Sequence, residues 1–153
     1  MKVRRAELAD VDEILRVDAE AKESPHWSRE QYVEILQGRD DAAWWPRRAL
    51  FVADVEGRVA GFIAVAVVMD GAELESIVVG AKHRRRGVGM ALSLAMRGWA
   101  KEQGAERVQL EVRVKNEAAR ALYKRLGFAQ NGRRANYYSN PQDDAVLMSL
   151  SLL

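Results

Sequence analysis

LESIVVGAKHRRRGVGMAL, residues 74–92, joins an apolar strand to an amphipathic helix through a turn that is both basic and glycine-rich. A helix starting near Gly87 points its first unpartnered N–H groups back into that turn, and Gly87 and Gly89 bring no Cβ to hold a ligand away. Arg84, Arg85 and Arg86 add charge beside the positive end of the helix dipole, where a phosphate or pyrophosphate is held. The competing reading is a tight turn with a solvated basic face. A short Gly-x-Gly run does not by itself separate the two.

Upstream of this stretch, residues 49–55 and 59–69 are rich in Val, Ile and Phe and are split by Glu56 and Gly57, which reads as a hairpin. Gly71 then permits a turn into a third strand at 73–79. Before the hairpin, residues 2–6 suit a short first strand, and Asp10 with Glu13 reads as a capping box for a helix carrying Val11, Ile14 and Leu15. Residues 22–27, with Pro25, form a loop. Ser28 with Gln31 is a second capping box, opening a helix that carries Tyr32, Ile35 and Leu36 and stops at Gly38. Trp44 and Trp45 then stand in a loop, either as a plug over the core, the preferred reading, or as a wall of a ligand groove.

Downstream, Val88, Ala91, Leu92, Ala95, Met96 and Trp99 fall on one stripe of period 3.6, which buries a helix face, and Gly104 supplies its left-handed stop. Residues 107–112 alternate Val108, Leu110 and Val112 with Gln109 and Glu111, as a half-buried strand does. Asn116 caps a last helix that ends at Gly127. Strands at 128–134 and 145–152 close the chain, flanking a polar loop around Tyr137, Tyr138 and Pro141. A meander followed by strand, helix, strand, helix, strand, strand predicts an α/β mixed sheet with helices on its faces.

Composition narrows the function classes. The 153 residues predict a single domain over 1–153, with an ordinary apolar share of 48%. Net charge is +2, from 24 basic and 22 acidic residues, so no nonspecific attraction to nucleic acid is implied. With no cysteine, the chain has no disulfide, thiolate metal site or cysteine nucleophile. A cytoplasmic location follows as the default, since no signal-type h-region opens the chain and no run is long enough to span a membrane. His26 and His83 stand too far apart from other ligands to suggest a metal site.

A P-loop and a Rossmann fingerprint both fail after Val79. Arg84-x-x-Gly87-x-Gly89 instead resembles motif A of the GNAT superfamily of acyl-CoA N-acyltransferases, Gln/Arg-x-x-Gly-x-Gly/Ala directly after the fourth strand. Residues 110–128, LEVRVKNEAARALYKRLGF, resemble the next strand and helix of the same superfamily. The likeness is greatest to its RimI type, the ribosomal-protein-alanine N-acetyltransferases. There a Leu-Glu-Val-Arg strand, an Asn before the helix, Ala-Leu-Tyr and a later Arg-Arg-x-Tyr-Tyr segment recur together, here 110–113, Asn116, 121–123 and 133–138. Two departures fall where an acceptor would bind. His26 separates Pro25 from Trp27, and the tyrosine pair lies one residue further from its arginines.

The resemblance implies a mostly antiparallel sheet of six or seven strands flanked by about four helices. It implies acetyl-CoA as cosubstrate and no metal. The pyrophosphate would be held by Arg84, Arg85, Arg86, Gly87, Val88, Gly89 and Met90, and the pantetheine arm by Ile77, Val78 and Val79 as one more strand, with Asn116 beside it. A strand N–H would face the thioester oxygen and stabilise the tetrahedral intermediate. Glu111 matches the general base, against a reading as a solvated carboxylate paired with Arg113. Tyr123 matches the general acid, against plain packing with Ala119 and Leu126. Trp27, Glu75, Tyr137 and Tyr138 would line the acceptor site, against a reading of Glu75, with Glu73 on the same strand face, as a solvated carboxylate and of the tyrosines as ordinary edge packing. The implied acceptor is a protein N-terminus, with a small amine, a lysine side chain or a noncatalytic acetyl-CoA-binding role as alternatives, in a monomer or homodimer.

Overall fold

The computed structural model describes residues 1–38 and 46–153, so the expectation for Trp44 and Trp45 lies outside the described residues. These residues form β1 (Lys2–Arg5), α1 (Val11–Asp18), α2 (Arg29–Gln37), β2 (Arg47–Val55), β3 (Arg58–Val68), β4 (Gly71–Val79), α3 (Val88–Glu102), β5 (Arg107–Arg113), α4 (Glu117–Arg125), β6 (Ala129–Tyr138) and β7 (Asp143–Ser151). The strands make one sheet in the order β1-β2-β3-β4-β5-β7-β6, antiparallel except where β4 meets β5. Alternation along the strands sends apolar residues to both faces. One face carries Phe51, Ile63, Val108, Leu110 and Met148 against Leu92 and Met96 of α3 and Leu122 and Tyr123 of α4. The other carries Leu50, Val52, Phe62 and Val78 against Ile14 of α1 and Tyr32 and Ile35 of α2. No described helix is long and apolar enough to cross a membrane.

Two irregularities of β4 open the sheet near its centre. The pairing of β3 with β4 runs Ala64 to Ser76 and then Val65 to Leu74, so Glu75 is an extra, unpaired residue. A bulge of this kind bends its strand and raises the local twist. Beyond it β4 leaves its other neighbour: the parallel pairing with β5 covers only Gly71, Ala72 and Glu73. A wedge therefore opens in the middle of the sheet, with residues 74–79 on one side and the end of β5 on the other.

The expected helix ends form, with one exception. Ser28 accepts from the N–H of Gln31 at 3.2 Å while Gln31 accepts from the N–H of Ser28 at 2.8 Å, a complete capping box. Asn116 accepts from the N–H of Ala119 at 3.1 Å. Gly104 and Gly127 take left-handed conformations at φ 92° and 100° after their helices. The box expected at Asp10 and Glu13 sits one turn earlier. A 3₁₀ turn at Leu8–Asp10 precedes α1, which leaves Asp10 itself helical at φ −84°. It cannot cap from there, and its carboxylate instead accepts from the N–H of Glu7 at 2.8 Å and from both Nη atoms of Arg4.

Candidate active site

The turn after β4 has the shape its sequence suggested. Arg85 and Gly87 both have positive φ, 61° and 81°, and residues of this kind among ordinary turn residues gather successive N–H groups into a concave nest. α3 starts immediately afterwards, its first turn holding no acidic side chain, so its N–H groups and dipole face the same hollow. Nothing lies within 4 Å of a Cβ built on Gly87, while one on Gly89 would meet Leu122 Cδ1 at 3.5 Å. Gly89 thus marks where α4 approaches the start of α3. The side chain of Val88 is buried in the core, so it offers the hollow only its backbone. Arg84, Arg85, Arg86 and Met90 are exposed at the surface, and Arg84 Nε folds back to donate to Val79 O at 3.3 Å.

Backbone polarity in the wedge follows from one bond. Gly80 N donates to Ala60 O at 2.8 Å. By antiparallel alternation Val78 then exchanges its bonds with its partner Phe62, and the N–H and C=O groups of Ile77 and Val79 turn away from β3, toward the opening. Of the three strand residues expected to pair with a ligand, Val78 therefore has its backbone committed to β3 and its side chain buried on the α1–α2 face. Ile77 and Val79 supply the free edge.

Glu111 and Tyr123 stand on opposite faces of the sheet. Val112 and Leu110 are buried on the α3 side, so Glu111 projects from the other face. Its carboxylate lies 3.5 Å from Arg134 Nη1 and accepts a hydrogen bond from the Tyr137 hydroxyl. The pairing with Arg113 entertained from sequence does not form. Arg113 donates to Pro141 O at 2.7 Å and stacks 4.4 Å from the Tyr138 ring centroid. Glu111 also borders a cleft of about 370 Å³ lined by Glu73, Gln109, Asn131, Arg134 and Leu147 among others. Tyr123 packs with the α3-side core, its ring edge-on to Phe128 at 6.0 Å, and burial pushes its phenol up to about 12.

Tyr137 and Tyr138 lie at the end of β6, a correction to the loop expected for them. β6 is an edge strand exposed along nearly its whole length, so its residues lack the apolar alternation by which a strand is recognised. Their rings meet edge-on at 4.9 Å. The Glu111 carboxylate, by accepting from the hydroxyl and by its charge, raises the Tyr137 phenol above its ordinary range, and burial does the same for Tyr138. Trp27 and Glu75 form a separate group: Arg48 bonds Glu75 twice, at 2.9 and 3.1 Å, and stacks 5.0 Å from the Trp27 ring centroid. Arg48 and Arg134 were not anticipated. Their partners lie far along the chain, and the one available signal was that Arg48 shares the strand phase of Leu50 and Val52. Asn116 caps α4 with its side chain. Among the described residues no three His, Asp or Glu side chains converge as metal ligands would.

The model of the acetyltransferase (GNAT) family matches residues 9–128. The chain belongs to that family. GNAT enzymes use acetyl-CoA, and the nest before α3 together with the free β4 edge fits the phosphate and amide groups of such a molecule. A protein from Bacillus subtilis (strain 168), provisionally named a ribosomal protein bS18-alanine N-acetyltransferase, is 32% identical over 151 residues, 98% of this chain and 95% of its own. An N-alpha-acetyltransferase from Sulfurisphaera tokodaii is 34% identical over 166 residues, covering 99% and 93%. The crystal structure of the ribosomal-protein-S18-alanine N-acetyltransferase from Escherichia coli superposes with a TM-score of 0.80 at 29% identity, covering 99% of this chain and 93% of the other. The mixed sheet expected, of six or seven strands flanked by about four helices, is thus the GNAT fold, with seven strands and four α-helices among the described residues.

Proposed function

We propose that this chain transfers the acetyl group of acetyl-CoA to the α-amine of a protein N-terminus, in the cytoplasm, with a ribosomal-protein alanine as the acceptor class. The reading is supported by the wedge where β4 parts from β5, with the N–H nest at its end, Glu111 on β5 projecting from one face and Tyr123 packed on the α3 side of the other. When bound, acetyl-CoA supplies an activated acyl group. The chain's own residues do the rest. N–H groups from Arg85 to Met90 grip the pyrophosphate, and the edge groups of Ile77 and Val79 align the pantetheine arm, with Asn116 at the neighbouring helix start. An edge N–H also faces the acyl oxygen and favours the charge that develops there.

Glu111 takes a proton from the acceptor amine, directly or through a water. An α-amine with a pKa near 8 needs only that assistance. Tyr123, kept protonated by burial, donates to the departing sulfur. Trp27, Glu75, Tyr137 and Tyr138 border the acceptor's approach, and Tyr137 already bonds Glu111 through its hydroxyl. The relatives named for N-terminal substrates support a peptide over a free amine. Thiol release from acetyl-CoA with a panel of peptides of different first residues tests the assignment, with fastest turnover expected for Ala. Turnover with small amines or lysine side chains and none with any peptide overturns it.

A further inference from the structure

Arg48, on β2, joins two parts of the acceptor site that are distant in sequence. Its Nε and Nη2 hold the two carboxylate oxygens of Glu75 at 2.9 and 3.1 Å, and its Cζ lies 5.0 Å from the Trp27 ring centroid. The side chains of Arg48 and Glu75 are 29% and 22% exposed, so the pair is shielded from much of the solvent screening that weakens surface pairs. Glu75 is the bulge residue of β4, and Trp27 ends the connection between α1 and α2. That connection is anchored from behind. Trp27 meets Tyr32 edge-on at 5.6 Å, Tyr32 meets Phe62 at 5.9 Å, and the buried Asp18 carboxylate accepts from the hydroxyls of Ser24 and Tyr32.

The same guanidinium acts on charge. Glu73 lies close enough to Glu75 and to Glu111 to feel both charges: burial, followed by the charges of Glu75 and Glu111, raises the Glu73 carboxyl above its usual range while Arg48 pulls it down. From β6 the charged and titratable groups facing this set are Arg134, Tyr137 and Tyr138; from β5, Arg113 stacks on Tyr138 and pairs with Glu23 of the α1–α2 connection at 3.7 Å. Arg134 reaches Glu111 at the longer distance of 3.5 Å. Arg48 is committed to Glu75 by two bonds.

We infer that Arg48 is a positioning residue of the acceptor site: it neutralises Glu75 and seats Trp27, so that Glu73 and Glu111 alone present negative charge to the incoming amine. The inference deepens the function proposed above and rests on it for the nature of the acceptor. Carbon-13 carboxyl NMR titration of the free protein tests the charge arm without any acceptor. Arg48→Gln should raise the titration of Glu73 by ~0.5 pH unit, the size expected for one charge uncovered several ångströms away in a partly solvated site. Glu75→Gln should lower it by a similar amount, and the double variant should return it to wild type.

Steady-state thiol release tests the positioning arm. Arg48→Lys keeps the charge without the fork or the stacking face, so it should raise the acceptor KM about tenfold with kcat within twofold and the Kd for acetyl-CoA unchanged. If Arg48→Gln does not fold, Glu75→Gln and Arg48→Lys still decide both arms. A Glu73 titration that stays fixed in Glu75→Gln, or an unchanged acceptor KM in Arg48→Lys, overturns the inference. A wild-type enzyme that turns over small amines and no peptide instead overturns the acceptor assignment, and leaves the titration result standing for Arg48.

Discussion

Replacing Tyr123 by Phe removes one oxygen and keeps the ring that packs edge-on to Phe128. The expected cost can be worked from the phenol's environment. Burial pushes its pKa up to about 12, whereas an ordinary thiol lies near ~8.5. Outright transfer from the phenol to a thiolate is uphill by about 3.5 units, about 5 kcal/mol at ~1.4 kcal/mol per unit. Tyr123 therefore acts mainly by donating a strong hydrogen bond to the sulfur as charge develops, and the proton taken from the amine settles the balance afterwards. Its contribution belongs at the lower end of the general-acid range, a loss in kcat of about 10²-fold for Tyr123→Phe. Thiol release at saturating acetyl-CoA and acceptor measures it, with a melting curve to show that the fold is kept. A kcat within threefold of wild type refutes the role. So does a loss confined to KM.

Glu111→Gln should lower kcat/KM by about 10²-fold near pH 7, with the deficit shrinking above pH ~8 as the acceptor α-amine loses its proton unaided; a deficit independent of pH contradicts a base role. Gly61→Ala should cost about 1–3 kcal/mol, because the added Cβ falls 2.6 Å from Val78 O and 3.3 Å from Val88 Cγ1 and must press β3 away from the strand that borders the wedge. Thermal unfolding reads this as a clear drop in Tm, and an unchanged Tm would show the packing there to be loose. Glu13 is held down at about 2 by hydrogen bonds from Arg58 and Arg16, each at 2.5 Å. Its folded pKa is depressed, so its stabilisation is present above pH ~4.5 and is lost as pH falls toward 2. Urea unfolding of Glu13→Gln should show about 0.5–1 kcal/mol less stability than wild type at pH 7, the value for a solvent-screened group, and no difference at pH 2; equal stability at both pH values counts against the pairing.

Local rules carried much of the architecture into the sequence. The stripe from Val88 to Trp99, the reciprocal Ser28 and Gln31 box, the Asn116 cap and the helix stops at Gly104 and Gly127 each need only a few neighbouring residues to operate, so each could be read one-dimensionally. What stayed hidden depends on residues brought together by folding. The Glu75 bulge adds one residue to a strand and leaves no mark in an alternation already blurred by Leu74, Ile77, Val78 and Val79. β6 hid its tyrosines because an edge strand with both faces exposed looks polar like a loop. At Asp10 a nearby capping partner was displaced by Arg4, which reaches it only after β1 folds back over the 3₁₀ turn. In the site, the turn and the residue types of Glu111 and Tyr123 were legible, whereas the ties of Glu75 to Arg48 and of Glu111 to Arg134 were not.

The bulge explains how this sheet carries an open edge at its centre. Unpaired N–H and C=O groups on a strand are ordinarily a hazard, since they invite another strand to pair. Here Ile77 and Val79 expose such groups only beyond Glu75, where β4 has already turned away from β5 and the parallel pairing has stopped at Glu73. β3 covers one side of them, and α3 begins just past their end. The opening is therefore bounded at one end by the nest of N–H groups at Arg85 and Gly87. An extended ligand with amide groups along its length and an anion at its far end satisfies both features at once. Deleting Glu75 would leave Ser76, Ile77, Val78 and Val79 opposite the same β3 partners, Ala64, Ile63, Phe62 and Gly61, and would remove only the bend, so one extra residue sets the course of β4 at the wedge while the phase of its free edge comes from its pairing with β3.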